Sequence, residues 1–71
     1  MPPKIRELRS DLRKAGFKMR QAKGSHNKWS HPEIPDILVL SGNDGDDAKP
    51  YQERDVRRAL QKLKDVRRRQ P

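Results

Sequence analysis

Most of the apolar residues of this chain fall in two helical stripes and one short run between them, and this placement constrains the fold most. In each stripe, apolar side chains recur three or four positions apart, as on one face of a helix. The first stripe is Ile5, Leu8, Leu12 and Ala15, and the second is Val56, Ala59, Leu60, Leu63 and Val66. Because 39% of the 71 residues are charged, each helix has one narrow apolar face and needs a second layer to bury it.

The helix ends carry typical start and stop residues. Pro2 and Pro3 favour a helix start and Gly16 suits a left-handed C-terminal cap, so we predict the first helix over residues 3–15. Pro50 is placed to open the second helix. We assign one domain to residues 1–66 and a basic tail, expected to fray, to residues 67–71.

Three strands are predicted between the helices. Residues 17–21 alternate in polarity, a turn at 23–25 follows, and a second strand over about 25–31 stops at Pro32. The apolar run Ile37–Leu40 predicts the third strand. Pro32 and Pro35 predict a loop between the last two strands, because proline cannot donate to a ladder.

The predicted fold is α+β. It is a two-layer α-β-β-β-α arrangement, with a three-stranded antiparallel sheet and two helices on one face. Trp29 is expected either in the core or stacked on a base. The rest of the expected core is Ile5, Leu8, Leu12, Phe17, Met19, Ile37, Val39, Val56, Leu60 and Leu63.

Charge is distributed unevenly along the chain. Residues 1–32 hold nine Lys/Arg and two carboxylates (net +7), residues 33–48 five carboxylates and no Lys or Arg (net −5), and residues 49–71 nine Lys/Arg and three carboxylates (net +6). Two basic segments around an acidic one favour a polyanionic partner, and we expect nucleic acid rather than membrane.

Several classes of site and location are disfavoured. The chain has no Cys, which excludes disulfides and thiolate metal sites. It has neither an apolar run of membrane-spanning length nor a signal-peptide segment, so we expect a cytoplasmic protein. The acidic residues 43–47 lack the ligand spacing of a calcium loop and are expected to form a turn, so no metal or cofactor is predicted.

His26 is the candidate for chemistry. If Trp29 faces the helices, strand alternation puts His26 and Lys28 on the open face and His31 on the buried side. An imidazole titrates near neutral pH and can move the protons needed when an RNA 2′-hydroxyl attacks the adjacent phosphate. The alternative is an ordinary surface histidine in a turn.

The residues around His26 would bind the substrate. Lys23, Lys28 and Arg20 are expected to contact phosphate and stabilise the charge that develops on it. Gly24 would let the backbone approach phosphate closely. On the second helix, Tyr51 either packs at the helix start or contacts RNA. The basic residues there either clamp phosphates or are solvated: Lys49, Arg54, Arg57, Arg58 and Lys62.

The chain resembles the HicA family of toxins from type II toxin–antitoxin systems. The resemblance is carried by Ala15-Gly16-Phe17, by Lys23-Gly24-Ser25-His26 and by "AKPYQERDVRRAL" at the second helix, and it spans about residues 4–63. It implies a fold like that of double-stranded-RNA-binding domains and a metal-independent endoribonuclease acting on mRNA. It also implies that His26 is catalytic, with Gly24 and Ser25 shaping its turn.

The resemblance further implies a HicB-like antitoxin that covers the site, with a monomer when free and a hetero-oligomer in the complex. The chain departs from the family pattern at Asn27-Lys28, where hydrophobic residues are usual, and in its acidic 43–47 loop. Carboxylates near an RNA site weaken binding, so the loop either faces away or attenuates activity. Two alternatives stay open: a non-catalytic RNA-binding module of the same fold, and an attenuated toxin kept as an antitoxin partner.

Overall fold

The computed structural model describes residues 1–24 and 26–69 of the chain. In this part of the chain the order is α-β-β-β-α, as the sequence predicts. The helices and strands are α1 (Ile5–Lys14), β1 (Lys18–Gln21), β2 (Asn27–His31), β3 (Ile34–Leu40) and α2 (Pro50–Arg69).

The three strands form one antiparallel sheet in the order β1-β2-β3. Both helices pack on one of its faces and share a core with it, which confirms the predicted α+β class and layering. The buried hydrophobic residues are Ile5, Leu8, Leu12, Phe17, Trp29, Ile34, Leu40, Ala48, Val56, Ala59 and Leu63.

Helix α1 ends where its sequence predicts. Gly16 has φ of +94°, the left-handed conformation in which a side chain is strained, and its N–H donates to the carbonyl of Arg13 at 3.0 Å. The next N–H, that of Phe17, donates to Leu12 O at 3.0 Å, which turns the chain directly into the sheet.

The prediction that Ile37 and Val39 of β3 face the helices is wrong. Trp29 is fully buried and lies opposite Leu38, and Asn27 lies opposite Leu40, so Leu38 and Leu40 share the helix-facing side. Ile37 and Val39 therefore face outward and are 65% and 49% exposed.

The predicted burial of Met19 is also wrong. Met19 lies opposite Trp29, but β1 is an outer strand and the Met19 side chain is 42% exposed. All four residues of β1 are exposed, and the buried aromatic of this segment is Phe17, just before the strand.

Pro35 lies inside a strand, contrary to the predicted loop. β3 begins at Ile34 and a two-residue turn, Pro32-Glu33, joins it to β2. Since β3 is an outer strand, a missing N–H on its free side breaks no ladder bond. A register shift between Trp29 and His31 accompanies this turn.

The acidic loop before α2 is anchored to the first helix. Backbone N–H groups of Ile5 and Arg6 donate to the carbonyls of Asp46 and Asp44 at 2.9 and 3.2 Å. The Ala48 N–H donates to Pro3 O at 2.8 Å. The first two bonds satisfy N-terminal helix donors with loop carbonyls, and all three fix the chain segment that leads into α2.

Candidate functional site

The turn between β1 and β2 presents His26 to solvent. The Ala22 N–H donates to His26 O at 3.0 Å, and the His26 N–H donates to Lys23 O at 3.1 Å, so His26 is the last residue of a closed turn. Its side chain is exposed, as predicted. Gly24, with φ of +59°, gives the turn its left-handed step.

The predicted phosphate contacts are exposed on the same hairpin. Arg20 and Lys28 are directly opposite each other in the β1–β2 register, and Val39 lies opposite Lys28 on the other side, so the three share the open face. Lys23 is exposed in the turn. Ser25, predicted to shape that turn, lies outside the described residues.

The hairpin cations are not neutralised within the described part of the chain. Lys18, Arg20, Lys23 and Lys28 make no ion pair there, whereas carboxylates engage Lys4, Arg9, Arg57, Lys62 and Arg67. A depression that includes the open face is lined by Lys18, Met19, Arg20, Lys28, Ser30 and Ile37. Four cations without an ion pair among the described residues therefore lie on the same hairpin as His26 and give that hairpin a positive potential.

His31 has a structural role and does not pair with His26. Its ring is buried, packs edge-on against Phe17 with centroids 5.1 Å apart, and accepts the Glu33 N–H at Nδ1 across 3.0 Å. Buried Asn27, Trp29 and His31 alternate with exposed residues in β2, which places the His31 side chain on the helix-facing side of the sheet.

Arg9 of α1 supports the base of the hairpin. Its Nη2 donates to Asn27 Oδ1 at 2.5 Å and to Gly42 O at 3.1 Å, and its Nη1 pairs with Asp44. Asn27 is buried and directly follows His26, so this network holds the residue next to the candidate catalytic group. It also neutralises one carboxylate of the acidic loop.

The other carboxylates of that loop are also engaged. Lys4 pairs with Asp47 at 2.5 Å, and Asp46 Oδ2 accepts the Asn43 N–H at 2.9 Å. The Asp47 and Asp44 ion pairs thus hold the loop against α1, and the Asp46 bond closes the loop on itself. No cluster of three or more His, Asp or Glu side chains arranged to hold a metal occurs among the described residues.

A groove of about 520 Å³ opens between β3 and the first half of α2, and His26 forms part of its wall. Its other lining residues include Asp36, Ile37, Val39, Tyr51, Asp55 and Arg58, and Asp36 is paired with Lys62. Ile37 borders both this groove and the cationic depression, so the two concave surfaces adjoin.

The family model for HicA toxins of bacterial toxin–antitoxin systems matches residues 5–66. The chain belongs to the HicA toxin family. Comparisons with curated proteins and with solved structures gave no significant match. As a HicA-family toxin, the protein is one half of a toxin–antitoxin system. No helix in the described ranges is long and apolar enough to cross a membrane.

Sequence reasoning missed two features of this candidate site. Asp55 was not identified, because nothing in its position shows that it borders the same groove as His26. The Arg9–Asn27 bond was also missed, although alternation placed Asn27 on the buried face with Trp29. A buried amide needs a partner, and Arg9, four residues after Ile5 on the apolar side of α1, was the available donor.

Proposed function

We propose that this HicA-family toxin is a metal-independent endoribonuclease that cleaves mRNA, with His26 moving a proton at the scissile phosphate. The observation that carries the proposal is the exposed His26 side chain at the end of a hairpin whose cations have no ion pair among the described residues. Proton transfer and charge stabilisation are the two functions that RNA cleavage requires of a protein without a metal.

The reaction is an internal transesterification. The 2′-hydroxyl oxygen attacks phosphorus and loses its proton, the bond from phosphorus to the 5′ oxygen breaks, and that oxygen gains a proton. The products are a 2′,3′-cyclic phosphate and a 5′-hydroxyl end. His26 serves as the acid/base group, while Arg20, Lys23 and Lys28 bind the phosphate as its negative charge increases.

Gly24 and Ser25 are proposed to shape the turn that brings the backbone near the substrate. Gly24 is suited to this because a Cβ there would meet no atom within 4 Å, so its surroundings are open. The proposed protein partner is a HicB-like antitoxin that covers the hairpin, joining a toxin that is monomeric when free, and the proposed location is the cytoplasm.

The test is RNA cleavage by the purified protein in excess EDTA, with the parent compared with His26→Ala. We expect single-stranded RNA to be cut by the parent and not by the variant, with cyclic phosphate and 5′-hydroxyl ends. Lys64→Ala, which removes an exposed cation from α2, is the matched control and should cut like the parent. Cleavage by His26→Ala at the parent rate would refute the catalytic assignment.

The same experiment separates the two alternatives. If the parent and His26→Ala bind RNA equally and neither cuts, the protein is a non-catalytic RNA-binding module. If neither binds nor cuts RNA, both RNA-directed functions are refuted, which leaves the attenuated toxin kept as an antitoxin partner as the remaining alternative. Loss of cleavage by the parent in EDTA alone would show that the mechanism needs a metal.

A further inference from the structure

The groove between β3 and α2 has the volume of a small-ligand site and a lining of mixed polarity. Its volume of about 520 Å³ lies within the range of small-ligand sites, roughly 300–1,000 Å³. His26 is one of its lining residues, so a ligand in the groove would lie next to the proposed reacting phosphate.

Tyr51 offers an aromatic surface for a base. It lies in the first turn of α2, borders the groove and is 46% exposed, so its ring is not part of the hydrophobic core. Ile37 and Val39, both outward-facing on β3, add an apolar surface to the same groove. Nucleobases of any identity stack on such rings, because every base has a π-face.

Arg58 offers a cation for a phosphate. It follows Tyr51 by seven residues, two helical turns, and therefore lies on the same side of α2. Two nearby basic residues of α2 are already paired with carboxylates: Arg57 binds Glu53 at 2.6 Å and Lys62 binds Asp36 at 2.8 Å. Arg58 has no carboxylate partner in the ranges 1–24 and 26–69.

Asp55 gives the groove a hydrogen-bond acceptor. It lies one turn after Tyr51, and its closest cation is Arg54, with Nε 3.9 Å from Oδ1, too far for a good hydrogen bond. A carboxylate repels phosphate but accepts hydrogen bonds from the amino groups of bases and from ribose hydroxyls. A nucleotide satisfies this mixed lining better than a simple anion does.

We propose that this groove is a nucleotide subsite, in which a base next to the cleavage site stacks on Tyr51 and its phosphate binds Arg58. Asp55 accepts a hydrogen bond from the base or the ribose. The proposal rests on the proposed ribonuclease function. It extends the RNA path from the cationic open face, past Ile37, to the N-terminal half of α2.

The test measures affinity for a short single-stranded RNA in the His26→Ala background, where cleavage does not interfere. Tyr51→Ala should weaken binding about tenfold and Tyr51→Phe should not, because the ring and not the hydroxyl carries the stacking. Arg58→Ala should weaken binding and reduce its dependence on salt, whereas Arg57→Ala, adjacent but paired with Glu53, should change little.

Unchanged RNA affinity in both Tyr51→Ala and Arg58→Ala, with thermal unfolding like that of the parent, overturns the proposal and leaves a protein segment as the candidate occupant of the groove. Equal losses in Tyr51→Ala and Tyr51→Phe overturn the stacking role. If the parent fails to cut RNA while Tyr51→Ala still loses affinity and Tyr51→Phe retains it, the catalytic function is wrong and the subsite is supported.

Discussion

Arg9 Nη2 lies 2.5 Å from Asn27 Oδ1, and this hydrogen bond joins the first helix to the residue that follows His26. The hairpin therefore does not depend on strand pairing alone. A guanidinium that also binds Gly42 and Asp44 connects three separate chain segments at the base of the candidate site.

Arg9→Met should destabilise the fold, because Asn27 is buried and would lose its donor. We expect a loss of about 2 kcal/mol in the free energy of unfolding and a Tm lower by roughly 10 °C. Arg6→Met is the matched control, since Arg6 is exposed on the same helix. Equal urea midpoints for the two variants would contradict the role given to Arg9.

The orientation of β3 can be tested with neighbouring residues. Leu40→Ala removes a fully buried side chain and should cost about 2–5 kcal/mol in the free energy of unfolding. Val39→Ala removes a side chain that is half exposed and should cost less than about 1 kcal/mol. Chemical denaturation measures both, and the reverse order would show that Val39 faces the helices.

This orientation was not predictable, because Ile37–Leu40 is apolar at every position. Alternation identifies an inward face only where polar and apolar residues take turns, and here both choices bury two aliphatic residues. The register between β2 and β3 determines which face of β3 is buried, because it places Leu38 opposite Trp29. By contrast, Asn27, Lys28 and Trp29 differ in polarity, and their faces were predicted correctly.

The order of helices and strands was predictable, because the signals that determine it are local in the sequence. Each helix has a single apolar stripe with proline or glycine at an end, and those signals are local. The groove beside His26 was not predictable from the sequence, because it depends on how α2 packs across β3. Tyr51 and Arg58 were recognised only as residues that could contact RNA, since a sequence does not show which residues share a cavity.

Gly16→Ala should be destabilising for two reasons. Gly16 has a positive φ, and a Cβ there would come within 3.2 Å of His31 Nε2 in the buried ring. We expect a loss of at least about 1 kcal/mol, detected as a lower Tm. Gly45→Ala is the control, since a Cβ at Gly45 meets nothing within 4 Å, and it should unfold close to the parent temperature.

Lys28→Ala should weaken RNA binding through charge alone. Losing one phosphate contact on a single strand should lower the slope of log affinity against log salt by about 0.7. Titrations at several salt concentrations, in the His26→Ala background, measure this slope. The Lys64→Ala control should keep the parent slope, and an equal decrease there would mean that the hairpin is not the RNA-binding surface.

The sheet of this protein ends in two different kinds of outer strand, β1 with Lys18 and Arg20 and β3 with Pro35. Two molecules that approached through β1 would bring like charges together, and Pro35 lacks the N–H needed to extend the ladder from β3. Both edges therefore oppose strand-to-strand aggregation. The side chains suited to attract a polyanion also help to keep concentrated copies of the protein apart.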